Sequence, residues 1–276
     1  MKFKDCLLVS DIDGTLMEMG GINPRNITAV QEFVSLGGTF CIATGRCTAA
    51  IEHIVAQFKK LTHAIVCNGS VIYDYTKNMP VKAKKLEQAD KLFFKEIIEK
   101  MPELGVEVYC GKDVYLLNSS EPCRIHCEYE FLNPKLGSFE EIENLEWNKA
   151  MCFYNAGFPE EKIEDFIKEF HSTSCEYTRA GFAISGVNFR GYEQLPLGAN
   201  KGSALRELSE LLGVRNGKIF AIGDYYNDIT MLKAADISAC PSGSPEDIKQ
   251  LVDFVGGACC DGAVADFIEY LKKVNF

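Results

Sequence analysis

Asp11 and Asp13 stand two apart in residues 7–16, Leu-Leu-Val-Ser-Asp-Ile-Asp-Gly-Thr-Leu, where an apolar strand should end and a tight turn begin. Two carboxylates at that point contribute nothing to a core. Gly14 supplies the backbone freedom that lets main-chain groups close around a small ligand. The resulting oxygen-rich pocket suits a hard cation such as Mg²⁺, which keeps several waters and binds through one or two carboxylates together with substrate phosphates. Phosphoryl chemistry is therefore the first expectation. A carboxylate can accept a phosphoryl group and so divide one difficult hydrolysis into two easier steps, which makes Asp11 the candidate nucleophile. Asp13, two residues on in the turn, can reach a leaving oxygen, protonate it, and later deprotonate the attacking water.

Three further segments supply complementary groups. Residues 218–228, Lys-Ile-Phe-Ala-Ile-Gly-Asp-Tyr-Tyr-Asn-Asp, repeat the first design, an apolar strand running into Gly223, Asp224, Asn227 and Asp228. Residues 39–46, Thr-Phe-Cys-Ile-Ala-Thr-Gly-Arg, form a strand that ends in Thr44, Gly45 and Arg46. Lys201 sits in Gly-Ala-Asn-Lys-Gly at the start of a helical pattern. A Thr44 hydroxyl can donate to a phosphoryl oxygen, and Lys201 can place positive charge where negative charge concentrates during transfer.

Taken together, these four segments resemble the haloacid dehalogenase superfamily of phosphotransferases, in particular its Cof-type phosphatases. Asp11-Ile12-Asp13-Gly14-Thr15 matches the family's first motif, Thr44 its second, Lys201 its third, and Gly223-Asp224 with Asn227-Asp228 its fourth. The resemblance spans the whole chain. It implies Mg²⁺ held by the side chains of Asp11 and Asp224 and the carbonyl of Asp13, with Asp228 close behind. It also implies a phosphate site made by Thr44, Gly45, Lys201 and Asn227, the last orienting either the phosphate or the lysine.

The elements that must position these residues alternate in the expected way. Strands near residues 6–10, 39–44 and 64–67 alternate with helices near 24–36 and 47–59. After Pro196 the pattern resumes with a helix near 201–212, a strand near 219–222, a helix near 228–234, short strands near Ile237 and Val252, and a helix near 264–273. Such alternation predicts an α/β fold, a Rossmann-like parallel sheet covered by helices. Ligands of such sheets bind at the carboxyl ends of the strands, where Asp11, Thr44 and Asp224 fall.

The two acidic sites must share one cation, so the intervening chain has to leave the sheet and return. The expectation is a core of residues 1–80 and 196–276 with an inserted α+β domain at 81–195. Its elements are a helix near 90–101, a strand pair near 106–117 turning at Gly111-Lys112, a strand near 150–155, a helix near 160–171, and strands near 175–177, 183–187 and 192–195. Its place between the second and third motifs resembles the type-IIB cap of the superfamily, which implies a role in substrate specificity. Arg46 and Asn68, beside the predicted mouth, and Arg179, Asn188 and Arg190 in the insertion are candidate substrate or cap contacts. Arg46 reads equally as a surface charge at a helix start, and Asn68-Gly69 as a plain turn. Trp147 reads as packing, and Tyr225-Tyr226 as a possible wall for a sugar or flavin.

Bulk properties narrow the function. A net charge of -10 opposes binding to a phosphate backbone, which draws its affinity from clustered Lys and Arg. No apolar run approaches the roughly 18 residues that span a bilayer, and Met1-Lys2-Phe3-Lys4-Asp5 leads into the catalytic strand and not into a cleavable signal. A cytoplasmic protein is expected. Twelve cysteines in 276 residues lack regular spacing, and Cys6, Cys41, Cys67 and Cys152 fall within apolar strands, as small buried hydrophobes of a reducing cell would. Cys123, His126 and Cys127 have metal-ligand chemistry but no fourth ligand nearby, and the neighbours Cys259-Cys260 read as ordinary packing. The expected activity is Mg²⁺-dependent hydrolysis of a small phosphorylated metabolite, sugar phosphates first and pyridoxal phosphate or FMN behind them. A phosphosugar mutase of the same superfamily and a non-catalytic phosphate binder are the alternatives, and the sequence leaves the oligomeric state open.

Overall fold

The computed structural model describes residues 2–18, 21–155, 157–170, 172–184, 187–214 and 217–275, without the side chains at 181–184, 187 and 188. The chain divides into two compact units. One comprises Met1–Gly45, Glu52–Lys82 and Asn200–Phe276, the other Arg46–Ile51 and Ala83–Ala199.

The first unit is built on an eight-stranded sheet in the order Phe254–Val255, Ile237–Cys240, Ile219–Ile222, Leu7–Ser10, Thr39–Ala43, His63–Val66, Val71–Asp74 and Met79–Ala83. The first six run parallel. A parallel strand is buried on both faces, which is why Leu7–Ser10 reads as an unbroken apolar run. On one face Leu7, Val9, Cys41 and Ala43 meet Ala204, Leu205 and Leu208 of helix Lys201–Leu211. On the other, Phe33 of helix Pro24–Ser35 meets Phe220, with Phe3 against both rings. That helix begins where Pro24 occupies its first turn and the Asn23 side chain accepts from Arg25 N at 2.8 Å, the arrangement that satisfies an orphan amide without needing one from proline.

Several expectations change in this unit. The helix expected near 47–59 shrinks to a 3₁₀ turn at Ala49–Ile51 and one α-turn at Glu52–Val55, a stretch of Ile, His and Val with little intrinsic helix preference. The strand expected near Val252 lies at Phe254–Val255. Val71–Asp74, antiparallel to its neighbour, and the edge strand Met79–Ala83 extend the sheet beyond the parallel pattern.

The second unit carries a six-stranded sheet, in the order Lys135–Leu136, Asp113–Asn118, Gly105–Cys110, Lys149–Asn155, Val187–Pro196 and Cys175–Ile184. Three expected C-terminal strands are in fact two long ones, paired from Cys175 opposite Pro196 to Ile184 opposite Val187. The run Thr178-Arg179-Ala180-Gly181 carries too little apolar character to read as strand, yet pairing carries the backbone through it. Helix Glu121–Tyr129, capped by Ser120, was also not legible as a periodic segment.

Strand alternation gives this sheet two different faces. Val106, Val108, Ala150, Cys152 and Tyr192 join Phe93, Phe94, Trp147, Ile163 and Phe166 in an apolar core. The residues between them, Glu107, Tyr109, Lys149 and Glu193, are buried on the opposite face with His126 and Glu130. There Glu107 accepts from Tyr109 Oη at 2.5 Å and pairs with His126 Nδ1 at 2.9 Å, while His126 Nε2 lies 3.5 Å from Glu130 and Lys149 Nζ 3.7 Å from Glu193. Arg46 belongs to this unit as well: it is buried, its guanidinium 5.3 Å from the centre of the Tyr129 ring. It is not a surface charge. Both His126 nitrogens are thus committed to carboxylates, which leaves no imidazole lone pair for a metal shared with Cys123 and Cys127.

Burial alone would lower the His126 pKa, but Glu107 and then Glu130 outweigh it and hold the imidazolium well above its usual range. Burial would likewise raise Glu130, but His126, Arg46 and Lys149 bring it down to about 2. A raised histidine contributes stability that is complete below its unfolded value of 6.5 and is lost as pH climbs through the folded value. A depressed glutamate contributes stability that is present above 4.5 and lost as pH falls toward about 2. Trp147, the lone tryptophan and fully buried in this unit's core, reports the unit's unfolding by its fluorescence. The midpoint followed at Trp147 should be highest between pH 4.5 and 6.5 and decline on both sides. His126→Ala, which strands two buried carboxylates, should lower stability by about 3–5 kcal/mol and remove the decline that sets in above pH 6.5, leaving only the one that buried thiols and tyrosines impose from pH 9.0 upward; a decline above pH 6.5 unchanged in the variant would show that His126 is not the titrating group.

Candidate active site

Leu7–Ser10 and Ile219–Ile222 pair in parallel with Ser10 opposite Ile222, and Asp11 N donates to the Ile222 carbonyl at 2.9 Å. Asp11 and Gly223-Asp224 therefore leave the sheet side by side at the carboxyl ends of neighbouring strands, where open parallel sheets hold their ligands. The turn after Asp11 closes through Leu16 N to Ile12 O at 2.9 Å and Gly14 N to Met17 O at 3.0 Å. Gly14 adopts φ +76°, and a Cβ there would lie 2.5 Å from Asp224 Oδ2. Both the conformation and the close approach require glycine. Thr15 Oγ1 then donates to Asp224 Oδ1 at 3.3 Å, a contact that its place in the first motif could have signalled and that its hydroxyl explains.

Lys201 opens helix Lys201–Leu211, whose N-cap Asn200 accepts from Ser203 N at 2.8 Å. Its ammonium lies 2.7 Å from Asp11 Oδ1 and 2.7 Å from Asp228 Oδ1, with the lysine fully buried. It is not a solvated first-turn lysine. Burial would favour the neutral amine, but Asp11 and Asp228 hold the pKa above the ordinary lysine range. Loss of the ammonium would leave two buried carboxylates uncompensated, a change that typically costs about 3–5 kcal/mol.

Among the described residues, Asp11, Asp224 and Asp228 form a group in which one carboxylate oxygen from each lies within 4.8 Å of the others. One ammonium faces three carboxylates. Burial and then the neighbouring Asp228 raise the Asp11 pKa well above its usual range, and the same two causes bring Asp224 up to about 6. Surplus negative charge on hard oxygen donors fits a divalent cation such as Mg²⁺. Asp228 is the least available ligand: Oδ1 takes Lys201, and Oδ2 accepts from the backbone of Asp224 at 3.0 Å and Tyr225 at 3.3 Å. Its carboxylate is spent on orienting the lysine and the loop. Asp13 is exposed, in contrast to Asp11, so the two carboxylates of one turn have different environments.

Thr44 is buried at the end of Thr39–Ala43, next to the Asp11 strand, and its N donates to Ile65 O at 2.9 Å. Asn227 Nδ2 donates to Asn68 Oδ1 at 3.2 Å, and Asn68 N donates to Thr44 O at 3.0 Å. Gly45 lies under the Asn68 amide. The first unit thus brings together Asp11, Asp13, Thr44, Gly45, Asn68, Lys201, Asp224, Asn227 and Asp228. Arg46, Arg179 and Arg190 belong to the second unit. Arg179 pairs with Glu164 and donates to Tyr192 Oη at 3.0 Å, and Arg190 pairs with Glu160 at 2.9 Å, so both are bound up in an acidic surface network. The Asn188 side chain lies outside the described residues. Trp147 is core and donates to Ile142 O at 2.8 Å, whereas Tyr225 and Tyr226 are exposed and meet edge to face at 4.8 Å.

Residues 8–268 match the family model of haloacid dehalogenase-like hydrolases. The chain is 25% identical to the 5-amino-6-(5-phospho-D-ribitylamino)uracil phosphatase YwtE of Bacillus subtilis, over 98% of this chain and 99% of that one. It is 23% identical to the pyridoxal phosphate phosphatase YbhA of Escherichia coli, over 95% and 97%. The fold superposes on the HAD subclass IIB sugar phosphatase BT4131 with a TM-score of 0.80 at 21% identity, covering 97% of this chain and 99% of that one. With the family model covering nearly the whole sequence, the chain belongs to the haloacid dehalogenase-like hydrolases and, within them, is a phosphoric monoester hydrolase of the Cof type.

Proposed function

We propose that the chain is a Mg²⁺-dependent phosphatase that hydrolyses small phosphorylated metabolites, sugar phosphates foremost, through a phosphorylated Asp11. The observation that carries this reading is the Asp11–Lys201–Asp228 contact inside a carboxylate cluster with surplus negative charge. A nucleophilic carboxylate, a fixed cation and a divalent-metal site are what phosphoryl transfer requires of a protein.

The side chains of Asp11 and Asp224 and the main-chain carbonyl of Asp13 would hold Mg²⁺, which supplies positive charge to the phosphoryl oxygens when bound. Asp11 attacks phosphorus and forms the acyl phosphate as the bond to the leaving oxygen breaks. Asp13 gives that oxygen its proton, releasing an alcohol. Asp13, now anionic, takes a proton from water, whose oxygen attacks phosphorus and releases inorganic phosphate from Asp11. Lys201 stays protonated and balances the charge that gathers on Asp11 and the transferring group. Thr44, Gly45 and Asn227 orient the phosphoryl oxygens. The inserted segment 81–195 serves as the cap that selects the leaving group, as the resemblance implies.

No described helix is long and apolar enough to cross a membrane, and ten of the twelve free thiols are buried. Burial pushes Cys41 and Cys152 up to about 12, which keeps them inert. These features support residence in the reducing cytoplasm, and the acidic charge supports a small-molecule substrate over nucleic acid.

A second reading, a phosphorylated ring compound of the kind the two named relatives act on, is favoured by the Tyr225–Tyr226 pair. These rings are 55% and 50% exposed within the loop that carries Asp224 and Asp228, so an aromatic leaving group has a face to stack on. A phosphate-release screen with Mg²⁺ across sugar phosphates, nucleotides and phosphorylated cofactors separates the two readings. Under the first, Tyr225→Ala and Tyr226→Ala leave the substrate ranking unchanged. Under the second, they lower kcat/KM for ring-bearing esters alone.

Two predictions test the mechanism. Asp11→Asn should abolish turnover while keeping the fold, because the amide has the shape of the carboxylate but is neither a nucleophile nor an anionic ligand, and chelation should silence the unmodified chain. Turnover retained in either case would overturn the covalent, metal-dependent route. Asp13→Asn should reduce turnover of a sugar phosphate by about 10²–10⁴, the usual worth of general acid–base assistance. With p-nitrophenyl phosphate, whose leaving group needs no proton, phosphorylation of Asp11 should stay comparatively fast and its hydrolysis slow. The signature is a burst of p-nitrophenol followed by a sluggish steady state; equal losses with both esters and no burst would confine Asp13 to positioning.

A further inference from the structure

The turn Cys67-Asn68-Gly69 has three consecutive residues in the left-handed region, at φ +50°, +51° and +94°. Only the last is a glycine. Non-glycine residues hold this conformation where surrounding contacts over-determine it, and such strain gathers at functional sites. Here the contacts are identifiable, and they lead to three different motifs. Asn68 N donates to the carbonyl of Thr44 at 3.0 Å. Its side-chain Oδ1 accepts from Asn227 Nδ2 at 3.2 Å. Gly69 abuts the start of the Lys201 helix so closely that a Cβ there would lie 2.2 Å from Asn200 O and 3.0 Å from Lys201 N. The amide of Asn68 also lies over Gly45, where an added Cβ would sit 3.2 Å from both its oxygen and its nitrogen.

We infer that Asn68 is a positioning residue of the phosphoryl site, acting through Asn227. The inference rests on the phosphatase reading above and extends it to a residue outside the four motifs. An amide nitrogen carries two hydrogens. With one donated to Asn68 Oδ1, the Asn227 amide plane is fixed and the second hydrogen is left to donate to a phosphoryl oxygen, as the proposed phosphate role of Asn227 requires. Asparagine suits both demands of the position, because its short polar side chain tolerates the left-handed region and supplies the acceptor. The same residue, through its backbone, fixes the Thr44 carbonyl, so the second and fourth motifs are held in one register by one side chain and one amide.

The test is a double-mutant cycle on the full chain, read as kcat/KM for p-nitrophenyl phosphate and as the inhibition constant of inorganic phosphate. Asn68→Gly keeps the left-handed backbone and removes the amide. Asn68→Gly should lower kcat/KM roughly three- to tenfold, the range of one hydrogen bond, and weaken inhibition by inorganic phosphate by a similar factor with little change in thermal midpoint. In an Asn227→Ala background the same substitution should have almost no further effect. Asn68→Ala, which removes the amide and also strains the backbone, should lower the thermal midpoint where Asn68→Gly does not. Equal losses in both Asn227 backgrounds, or full activity of Asn68→Gly, would overturn the inference while leaving the phosphatase reading intact. An unmodified chain that hydrolyses no phosphate ester and binds no inorganic phosphate would overturn both.

Discussion

The buried ammonium of Lys201 between Asp11 and Asp228 is the constraint that the rest of the catalytic unit has to satisfy. A charge without access to water is tolerable only when its partners are fixed close by, and its partners arrive from different parts of the chain. Asp11 comes from the end of a strand, Asp228 from the turn after another, and Lys201 from the first residue of a helix. All three must be placed to within a hydrogen bond. The parallel pairing of Leu7–Ser10 with Ile219–Ile222 supplies the first two, and the packing of helix Lys201–Leu211 on that sheet supplies the third. The apolar core is therefore a device for holding three ionisable groups in register.

Within that frame the carboxylates divide the work by environment and not by type. Asp228 has both oxygens engaged, one by Lys201 and one by the backbone of Asp224 and Tyr225, so it serves the geometry. Asp224 accepts from Thr15 and lies beneath Gly14, which leaves it oxygen to offer a cation. Asp11 is buried beside the ammonium, and Asp13, only two residues away, is exposed. In the proposed mechanism Asp11, as nucleophile, needs a fixed position and a charged partner, and Asp13, as the group that exchanges protons with the leaving group and with water, needs access. The turn at Gly14 gives the neighbours those opposite settings.

Much of this was legible because the strand ends carry their chemistry in contiguous residues: Asp11 through Thr15, Thr44-Gly45, and Asp224 through Asp228 each announce themselves after an apolar run. What the sequence could not carry was the pairing between segments. Lys201 is marked by its place among the four segments, but its pairing with both Asp11 and Asp228 is seen only when its helix starts against them. Asn68 looks like a turn until Asn227 is found on its side chain. Arg46 follows Gly45 directly, yet its side chain is buried against Tyr129. Arg179 and Arg190 have the chemistry of phosphate ligands, but Glu160 and Glu164, distant in sequence, claim them. Strand boundaries failed for a related reason: Cys175–Ile184 and Val187–Pro196 are two long paired strands whose pairing overrides a weak local pattern.

The two buried charge clusters show how a structural network differs from a site. In the second unit Arg46, Lys149 and the imidazolium of His126 are buried with Glu107, Glu130 and Glu193, three positive groups against three negative ones. Those charges balance one another, and a bound ion would add a charge to a neutral set. In the first unit Lys201 faces Asp11, Asp224 and Asp228, and the imbalance appears as carboxyl groups driven toward protonation. That unbalanced negative charge is what the proposed cation would complete. Perturbed carboxylates alone would be weak evidence of function, since structural ion pairs perturb them too. The surplus, at the carboxyl ends of parallel strands and beside an exposed Asp13, is what separates the catalytic cluster from the structural one.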